Sequence, residues 1–564
     1  MTARRGRGTA SSTASRSSRV PSGWRTCSGR SRPQGGLIVG ADPVPSSLGR
    51  HAAIGVLWNV AQKWGIRAGS LLTLALLTRQ LEPADFGIVA AALVFIPFLT
   101  LLADVGFQSY VVQAERADQR MLSTALWFGL VSGLVLMGAT VAAAPLVESL
   151  LGLPRFAHVL QGLAPAILLS ALMGAPAALL KRRLAFKAIA VRQISAAVGS
   201  QVVAVALVLA GAGVWALVGQ YVANTFFACV AVWIAARWVP SRQFSPRLAW
   251  RMTRFGVKVV LSDITGVLRI SLETMIIVTI VGVTGLGYWS IAMRLVNVAT
   301  DLTASTVVSV SSPVFARIKM QPSRLTDAYL RAQATLYAIS GSVMMVLAVV
   351  TPLLLPVVFG AQWQPSVFLG QVYAVASIFV IGATLDRGFF LGIGRPGVWL
   401  VYVVAVEALT LLATFLAAPY GMRAVVVAFL AVAVFATLVR LAMVAHILGV
   451  RRSRPAGAMF LVLVAAGAAA VPSLGLVWSL TDRLPVPLVI VLAMAAPAVV
   501  FPLTLRYVRP EVLREVWSLA PERLRRHRPR LVSWLVDAGV GADQVTEPVP
   551  VEVAAPPGGQ GVRA

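Results

Sequence analysis

Apolar runs long enough to cross a membrane follow one another along this chain from about residue 54 to residue 507. Residues 56–78, 121–145 and 201–238 are three examples. About 20 consecutive apolar residues cross the hydrocarbon core of a bilayer as a helix. The short segments between the runs leave no room for a sizeable water-soluble domain, and 58% of the residues are hydrophobic while only 12% are charged. The sequence therefore predicts an all-α integral membrane protein, and it favours transport, lipid handling or intramembrane chemistry over soluble enzymes.

The distribution of basic residues predicts how the chain is oriented in the membrane. A formal net charge of +28 would suggest nucleic-acid binding in a soluble protein. In membrane proteins, however, Lys and Arg collect on the cytoplasmic flanks of spanning helices. With the N-terminus placed inside, the loops after even-numbered spans hold 21 Lys and Arg residues, and those after odd-numbered spans hold four. We therefore predict a multi-pass protein of the cytoplasmic (inner) membrane with both termini in the cytoplasm and no nucleic-acid partner.

The apolar pattern predicts about fourteen spans arranged as two six-helix lobes around a central cavity, followed by two C-terminal helices. The predicted spans are residues 55–78, 86–106, 122–145, 157–180, 193–211, 214–236, 259–281, 285–311, 332–358, 366–391, 397–418, 424–446, 457–480 and 485–505. The predicted domains are a disordered basic N-terminal tail (1–50), an N-lobe (51–238), a C-lobe (239–447), two extra helices (448–505) and a basic cytoplasmic tail (506–564).

A short internal repeat supports the two lobes. Residues 81–87 (LEPADFG) link the first predicted span to the second, and residues 281–287 (VGVTGLG) link the seventh to the eighth. Six spans separate the two copies, so the two lobes would have the same topology and be related by an axis along the membrane normal.

Polar side chains within the spans recur on single helical faces. Charges in hydrocarbon are expensive and normally face a protein interior or a water-filled cavity. We predict that the cationic and amide side chains line such a cavity, because guanidinium groups bind phosphate oxygens in pairs of hydrogen bonds. The predicted cavity residues are Asn59, Lys63 and Arg67 in span one, Arg269 in span seven, and Arg294 and Asn297 in span eight.

A structural interpretation of the same residues remains open. Arg269 with Glu273, and Arg294 with Asp301, would then be internal ion pairs that hold helices in register, and Lys63 would extend to the lipid head groups.

Acidic residues within the spans are the candidates for binding a coupling proton or cation. They are Asp263, Glu273, Asp301 and Glu407. Two cysteines and four scattered histidines form no ligand spacing, so no metal site, cofactor or catalytic residue is predicted. The sequence contains no Walker motif, which argues against ATP hydrolysis by this chain.

Motifs spread over about residues 55–400 make the chain resemble the oligosaccharide–lipid flippases of the polysaccharide-biosynthesis branch of the multidrug/oligosaccharidyl-lipid/polysaccharide (MOP) exporter superfamily. Their shared order and spacing carry the resemblance. The motifs are Trp58-Asn59, Gln62-Lys63, LEPADFG at 81–87, Asp104-Val105-Gly106, GVWALVGQ at 213–220, Phe255-Gly256, LGYWSIAMR at 286–294, PVFAR at 313–317 and FGAQW at 359–363. Arg387, beside Asp386, departs from the less charged stretch expected there.

The resemblance implies two six-helix lobes, often with two extra helices, and no enzymatic activity. It implies that the chain turns undecaprenyl-pyrophosphate-linked oligosaccharide units across the bilayer by alternating access, for exopolysaccharide, capsule or O-antigen synthesis. The resemblance also implies a cationic cavity that holds the pyrophosphate and the sugars while the lipid tail stays in the bilayer. By position, the candidates for this cavity are Lys63, Arg67, Arg269 and Arg294. A polysaccharide polymerase and a chain-length regulator are the expected protein partners. The alternatives are a multidrug (MATE-type) or lipid II exporter of the same fold, and a membrane polysaccharide polymerase.

Overall fold

The computed structural model describes residues 65–67, 69–114, 118–183 and 185–508, together with residues 511, 513 and 514. Within these ranges the side chains at 186, 258–259, 261–263, 265, 302, 304–314, 316–317, 498 and 508 are not described. The predicted tail 1–50 and most of the tail 506–564 therefore lie outside the described residues, as do Asn59 and Lys63.

All regular structure in the described part of the chain is helical, with no β-strand. Helix α1 covers residues 65–67 and 69–80. The helices that follow are α2 (Pro83–Leu93), α3 (Phe95–Asp104), α4 (Phe107–Gln113), α5 (Gln119–Leu151), α6 (Phe156–Leu163), α7 (Pro165–Arg182), α8 (Phe186–Leu209), α9 (Trp215–Ala236), α10 (Pro246–Ile280), α11 (Val283–Ile318), α12 (Pro322–Phe359), α13 (Pro365–Gly392), α14 (Pro396–Ala417), α15 (Met422–Leu448), α16 (Ser453–Leu480) and α17 (Val486–Val508).

Eleven described helical segments are long and apolar enough to cross a membrane. Two of them are bent pairs, α2 with α3 and α6 with α7, each of which forms one span. Helices α10 and α11 are not among the eleven, since charged and hydroxyl side chains run along them, but they coincide with predicted spans seven and eight. Helix α1 is the described part of predicted span one. The prediction of an all-α membrane protein is confirmed.

Proline and glycine set many of the helix ends. Proline occupies the first helical position of α2, α7, α10, α12, α13 and α14. Its missing N–H group would have no intrahelical partner there in any case. Gly152 ends α5 and Gly449 ends α15, both in the left-handed conformation that favours glycine. Helix α5 is longer than the predicted span 122–145, because Gly152 rather than a loss of apolar character ends it.

Helices α2 and α11 cross so closely that both need glycine at the contact. A Cβ atom on Gly87 would collide with the carbonyl oxygen of Val283, and one on Gly287 would collide with the carbonyl oxygen of Pro83. The two contacts are reciprocal, and each obstacle is backbone, which cannot rotate away as a side chain can. The two copies of the predicted repeat therefore pack directly against each other.

The FGAQW segment completes this contact. The indole nitrogen of Trp363 donates to the carbonyl oxygen of Thr78 at 3.0 Å, and the Gln362 amide donates to the carbonyl oxygen of Leu81 at 3.1 Å. The rings of Trp363 and Phe86 meet edge to face with centroids 5.1 Å apart. We call this contact of residues 78–87 with 283–287 and 359–363 the first joint.

A second joint lies at the other end of α2 and α3. Here a Cβ atom on Gly256 of α10 would collide with the carbonyl oxygen of Val105, and Gly106 has a positive φ of 71°. The rings of Tyr110 and Phe255 are 5.4 Å apart. The span formed by α2 and α3 has 22 residues, or about 33 Å at 1.5 Å per residue. The chain before α10 thus contacts the chain from α10 onwards at both ends of one membrane span.

Candidate functional site

A cavity of about 490 Å³ lies between the two joints, and we call it the central cavity. Helices α1, α2, α8, α9 and α11 line it. Phe86, Val89 and Leu93 of α2 form an apolar side, whereas α1 and α11 contribute Arg67, Ser70, Arg294 and Asn297. Further amide and hydroxyl groups come from α8 and α9. The cavity is therefore polar on most of its helices, in a part of the chain that is otherwise apolar.

Arg294 and Asn297 face the cavity from the same side of α11 because they are three residues apart. Arg294 is eleven residues from the start of α11 at Val283. At 1.5 Å per residue this places it roughly 16 Å along the helix, near the middle of a hydrocarbon core about 30 Å thick. The polar lining thus reaches the depth at which a charge is most costly to expose to lipid.

Arg67 of α1 forms an ion pair with Asp301 of α11. Both side chains are substantially exposed, at 42% and 56%. The alternative pair considered from the sequence, Arg294 with Asp301, does not form. These two residues are seven positions apart on one helix, roughly 10 Å along its axis, and Arg67 reaches Asp301 from the neighbouring helix instead.

Arg294 is the cavity cation whose charge is not neutralised by any described residue. Its side chain is exposed, and it has no hydrogen bond or ion pair with any described residue. The nearby Asn297 accepts a long hydrogen bond from the hydroxyl of Tyr373, at 3.4 Å. Among the described residues that line this cavity there is no carboxylate. The described lining of the central cavity therefore carries one unpaired positive charge, that of Arg294, because Arg67 is paired with Asp301.

Arg269 lies in a separate, smaller cavity of about 170 Å³ formed by α10, α13, α14 and α15. Its Nε is 2.6 Å from a carboxylate oxygen of Glu407, and its Nη1 pairs with Glu273 one turn away on the same helix. The Arg269–Glu273 pair is one of the two pairs that the structural interpretation predicted, and the other, Arg294 with Asp301, does not form. We call these three residues the Arg269 cluster. With all three ionised it carries one excess negative charge, because two carboxylates share one guanidinium group.

A buried ionic cluster joins α12, α13 and α15. Arg440 Nη1 lies 2.6 Å from a carboxylate oxygen of Asp386, and both side chains are almost completely buried. The hydroxyl of Tyr329 donates to the other oxygen of Asp386, and Arg440 also donates to the hydroxyl of Tyr337. The sequence predicted that both charges lie within spans, but it did not predict that they pair with each other. Arg387, next to Asp386, is exposed.

The structure therefore divides the predicted site residues into groups. Arg67, Arg294 and Asn297 meet in the central cavity, with Asp301 bound to Arg67, while Arg269, Glu273 and Glu407 meet in the smaller one. Asn59, Lys63 and the side chain of Asp263 lie outside the described residues. Among described residues, no group of three or more His, Cys, Asp or Glu side chains is placed to hold a metal ion.

Sequence reasoning missed the polar wall formed by α8 and α9. All of its members line the central cavity. They are Ser200, Gln201, Gln220, Tyr221 and Asn224. The available signal was the four-residue spacing of Gln220 and Asn224, which places two amides on one face of an otherwise apolar span.

Comparison with solved structures identifies the class of membrane protein to which this fold belongs. The chain resembles "Lipid II flippase MurJ, inward closed conformation", with a TM-score of 0.66 and 12% identity over 80% of this chain and 98% of that one. It also resembles an inward-facing multidrug resistance MATE transporter of the MOP superfamily, with a TM-score of 0.54 and 16% identity over 69% of this chain and 99% of that one. At these identities the likeness concerns the fold, which is the predicted MOP type.

The family follows from the sequence comparisons. A model described as "Polysaccharide biosynthesis protein" matches residues 76–368, a little over half of the chain. The chain belongs to this polysaccharide biosynthesis protein family, as the motifs predicted.

Two curated relatives show how far the similarity extends. The succinoglycan biosynthesis transport protein ExoT of Rhizobium meliloti (strain 1021) is 29% identical over 311 residues, which are 54% of this chain and 62% of ExoT. The lipopolysaccharide biosynthesis protein WzxC of Escherichia coli (strain K12) is 22% identical over 335 residues, 59% of this chain and 68% of WzxC. The match thus spans less than two thirds of the length of ExoT.

Proposed function

We propose that this protein moves undecaprenyl-pyrophosphate-linked oligosaccharide units across the cytoplasmic membrane. The observation that carries the proposal is Arg294, a cation without a partner among the described residues, in a polar cavity near the middle of the bilayer. Two unit charges 4 Å apart attract each other by about 4 kcal/mol at an effective dielectric constant of 20. A guanidinium group also binds phosphate oxygens through paired hydrogen bonds. Arg294 would hold the pyrophosphate while the lipid tail stays in the bilayer.

Arg67 would bind the same pyrophosphate after its ion pair with Asp301 breaks. It lines the central cavity beside Arg294 but is paired with Asp301. The pair is exposed, and exposed pairs contribute only about 0–1 kcal/mol. A pyrophosphate would therefore be able to compete with Asp301 for Arg67.

The cavity lining argues against an exporter of organic cations with the same fold. Such a substrate needs carboxylates, and none is present among the described residues lining the central cavity. A lipid II exporter would use the same pyrophosphate chemistry, so the two substrates have to be separated by experiment. A polysaccharide polymerase would need a convergent pair of acid and base groups. Asp301, Glu407 and Asp386 are each bound to an arginine instead.

Alternating access would come from rocking of the predicted lobes, 51–238 and 239–447, about the two joints. The second joint lies at the basic end of the helices, where Lys181 donates to Gln108 of α4 at 2.7 Å. By the preference of Lys and Arg for the cytoplasmic side, the second joint would close the inner side and the first joint the outer side. Both termini would then be cytoplasmic.

The Arg269 cluster is our proposed coupling site. Its excess negative charge, in a small cavity within the span region, would be neutralised by a proton or a cation. Of the four predicted candidates, the side chain of Asp263 lies outside the described residues and Asp301 is bound to Arg67. Glu273 and Glu407 share one guanidinium group, that of Arg269.

Product analysis in a deletion strain tests the proposed function. Loss of this protein should cause complete lipid-linked units to accumulate on the inner face of the membrane. Loss of a polymerase would instead cause single units to accumulate on the outer face, where a polymerase and a chain-length regulator would consume them. Accumulation on the outer face in the deletion strain would contradict the proposal.

A further inference from the structure

Helices α8 and α9 contribute neutral polar groups, and no charges, to the lining of the central cavity. On α9, Gln220, Tyr221 and Asn224 lie at spacings of one, three and four residues and all reach the central cavity. On α8, Ser200 and Gln201 also reach it. We call Gln201, Gln220, Tyr221 and Asn224 the amide wall.

Much of the hydrogen-bonding capacity of the amide wall is unused. Asn224 Nδ2 donates a long bond of 3.4 Å to the hydroxyl of Ser200, and Gln201 Nε2 donates one of 3.5 Å to the carbonyl oxygen of Ile66. The carboxamide of Gln220 and the hydroxyl of Tyr221 have no hydrogen-bond partner among the described residues. Because unpaired polar groups at membrane depth are unfavourable, these groups are suited to face water or a polar ligand in the cavity.

We propose that the amide wall is the subsite for the sugar that is attached directly to the pyrophosphate. A carboxamide both donates and accepts hydrogen bonds, as sugar hydroxyls do. Tyr221 adds a ring with an apolar face and a polar tip. The wall has no charge with which to hold phosphate, which leaves that task to Arg294 in the same cavity. The subsite rests on the proposed function, since it would bind part of the same substrate.

The cavity is large enough to hold a sugar beside the phosphate. Its volume of about 490 Å³ falls in the range of about 300–1,000 Å³ typical of small-molecule sites. A long oligosaccharide would extend beyond such a cavity. The amide wall would therefore select the first sugar and tolerate variation further along the chain.

Binding measurements on the purified full chain test this subsite. The probes are short polyprenyl pyrophosphates that carry glucose, galactose, N-acetylglucosamine or no sugar. Gln220→Met keeps the length of the side chain and removes its hydrogen-bonding groups, and Asn224→Ala removes a second amide. Gln161→Ala is the matched control, because Gln161 lies on α6 and donates to the carbonyl oxygen of Val141 at 3.2 Å, away from this cavity.

We expect the wild-type protein to bind at least one sugar-bearing probe more tightly than the probe without sugar. Gln220→Met should weaken binding of the sugar-bearing probe by about three- to tenfold, as expected for one lost neutral hydrogen bond. It should leave binding of the sugar-free probe unchanged, whereas Arg294→Ala should weaken both. Thermal unfolding of each variant checks that it is folded.

Two results would overturn the subsite alone: equal weakening of both probes by Gln220→Met and Asn224→Ala, or no weakening of either probe. The first would show that the amides only hold α8 and α9 together. A wild-type protein that binds none of the probes would overturn the proposed function and the subsite with it.

Discussion

Replacing Gly87 with alanine should force the first joint apart. The new Cβ would collide with the carbonyl oxygen of Val283, and it would lie 2.7 Å from the carbonyl carbon of Val283 and 3.2 Å from the backbone nitrogen of Gly287. Carbon atoms in ordinary contact are about 3.5–4.0 Å apart. Helices α2 and α11 would therefore have to separate by roughly 1 Å.

The size of the effect follows from the energy of overpacking. Added methyl groups in well-packed interiors destabilise by typically about 1–3 kcal/mol. Every 1.4 kcal/mol is a factor of ten in an equilibrium constant. The ratio of closed to open first joints should thus fall by about 5- to 150-fold. Gly287→Ala should have a similar effect, because the contact is reciprocal.

Accessibility of the central cavity to a membrane-impermeant maleimide measures this change. The reporter is Asn297→Cys in a chain whose two native cysteines are replaced by serine. Gly87→Ala should raise the rate of labelling from the outside, and Gly256→Ala, at the second joint, should raise it from the inside. Gly138→Ala is the control, since a Cβ atom there meets no atom within 4 Å. Labelling from the outside that is the same for Gly87→Ala and Gly138→Ala would refute the reasoning.

Three further predictions concern the ionic groups. Asp386→Asn should destabilise the protein by about 3–5 kcal/mol, because it leaves the buried Arg440 unpaired, and thermal unfolding in detergent measures this. Asp301→Asn should cost less than about 1 kcal/mol in the same assay, because its pair is exposed; equal losses would contradict both assignments. Glu407→Gln removes the excess charge of the Arg269 cluster, so ion-driven transport should be lost while substrate binding persists, and unchanged coupling in proteoliposomes would exclude the site.

The positions of the helices could largely be predicted from the sequence. Hydropathy decides which segments enter the membrane, and that property is local to each run. The bends between α2 and α3 and between α6 and α7 were not predicted, since each pair is continuous in hydropathy. The helix ends were misplaced by several residues, as at Gly152, because a glycine cap and not a loss of apolar character ends α5.

The pairing of charges could be predicted only for residues one helical turn apart, since Arg294 and Asp301, seven positions apart on α11, do not pair. Arg269 and Glu273 are one turn apart, and residues at that spacing are neighbours on any helix. The partner of Arg67 is 234 residues away in the sequence, and the partner of Arg440 is 54 residues away. Such pairs depend on how helices are arranged around one another. A single sequence shows that the charges are present, but it does not show which of them neutralise each other.

The family motifs gain a physical explanation from the two joints. Residues 81–87, 283–287 and 359–363 meet in the first joint, while Val105, Gly106 and Gly256 meet in the second. At these positions, glycines lie in close contact with backbone carbonyl groups, or side chains donate hydrogen bonds to carbonyl oxygens. Part of the resemblance seen in the sequence thus lies in the contacts between the two halves of the chain. The motifs at 213–220 and 286–294 also contribute Gln220 and Arg294 to the central cavity.

Flipping of an undecaprenyl-pyrophosphate-linked oligosaccharide in proteoliposomes tests the central role of Arg294 most directly. Without nucleotide, the wild-type protein should move the substrate. Arg294→Ala should lower the rate by about tenfold or more, as expected for the loss of a charge-assisted bond of about 1.5–3 kcal/mol. Arg387→Ala, which removes an exposed arginine away from the central cavity, should not. A wild-type rate for Arg294→Ala in correctly folded protein would contradict the proposal.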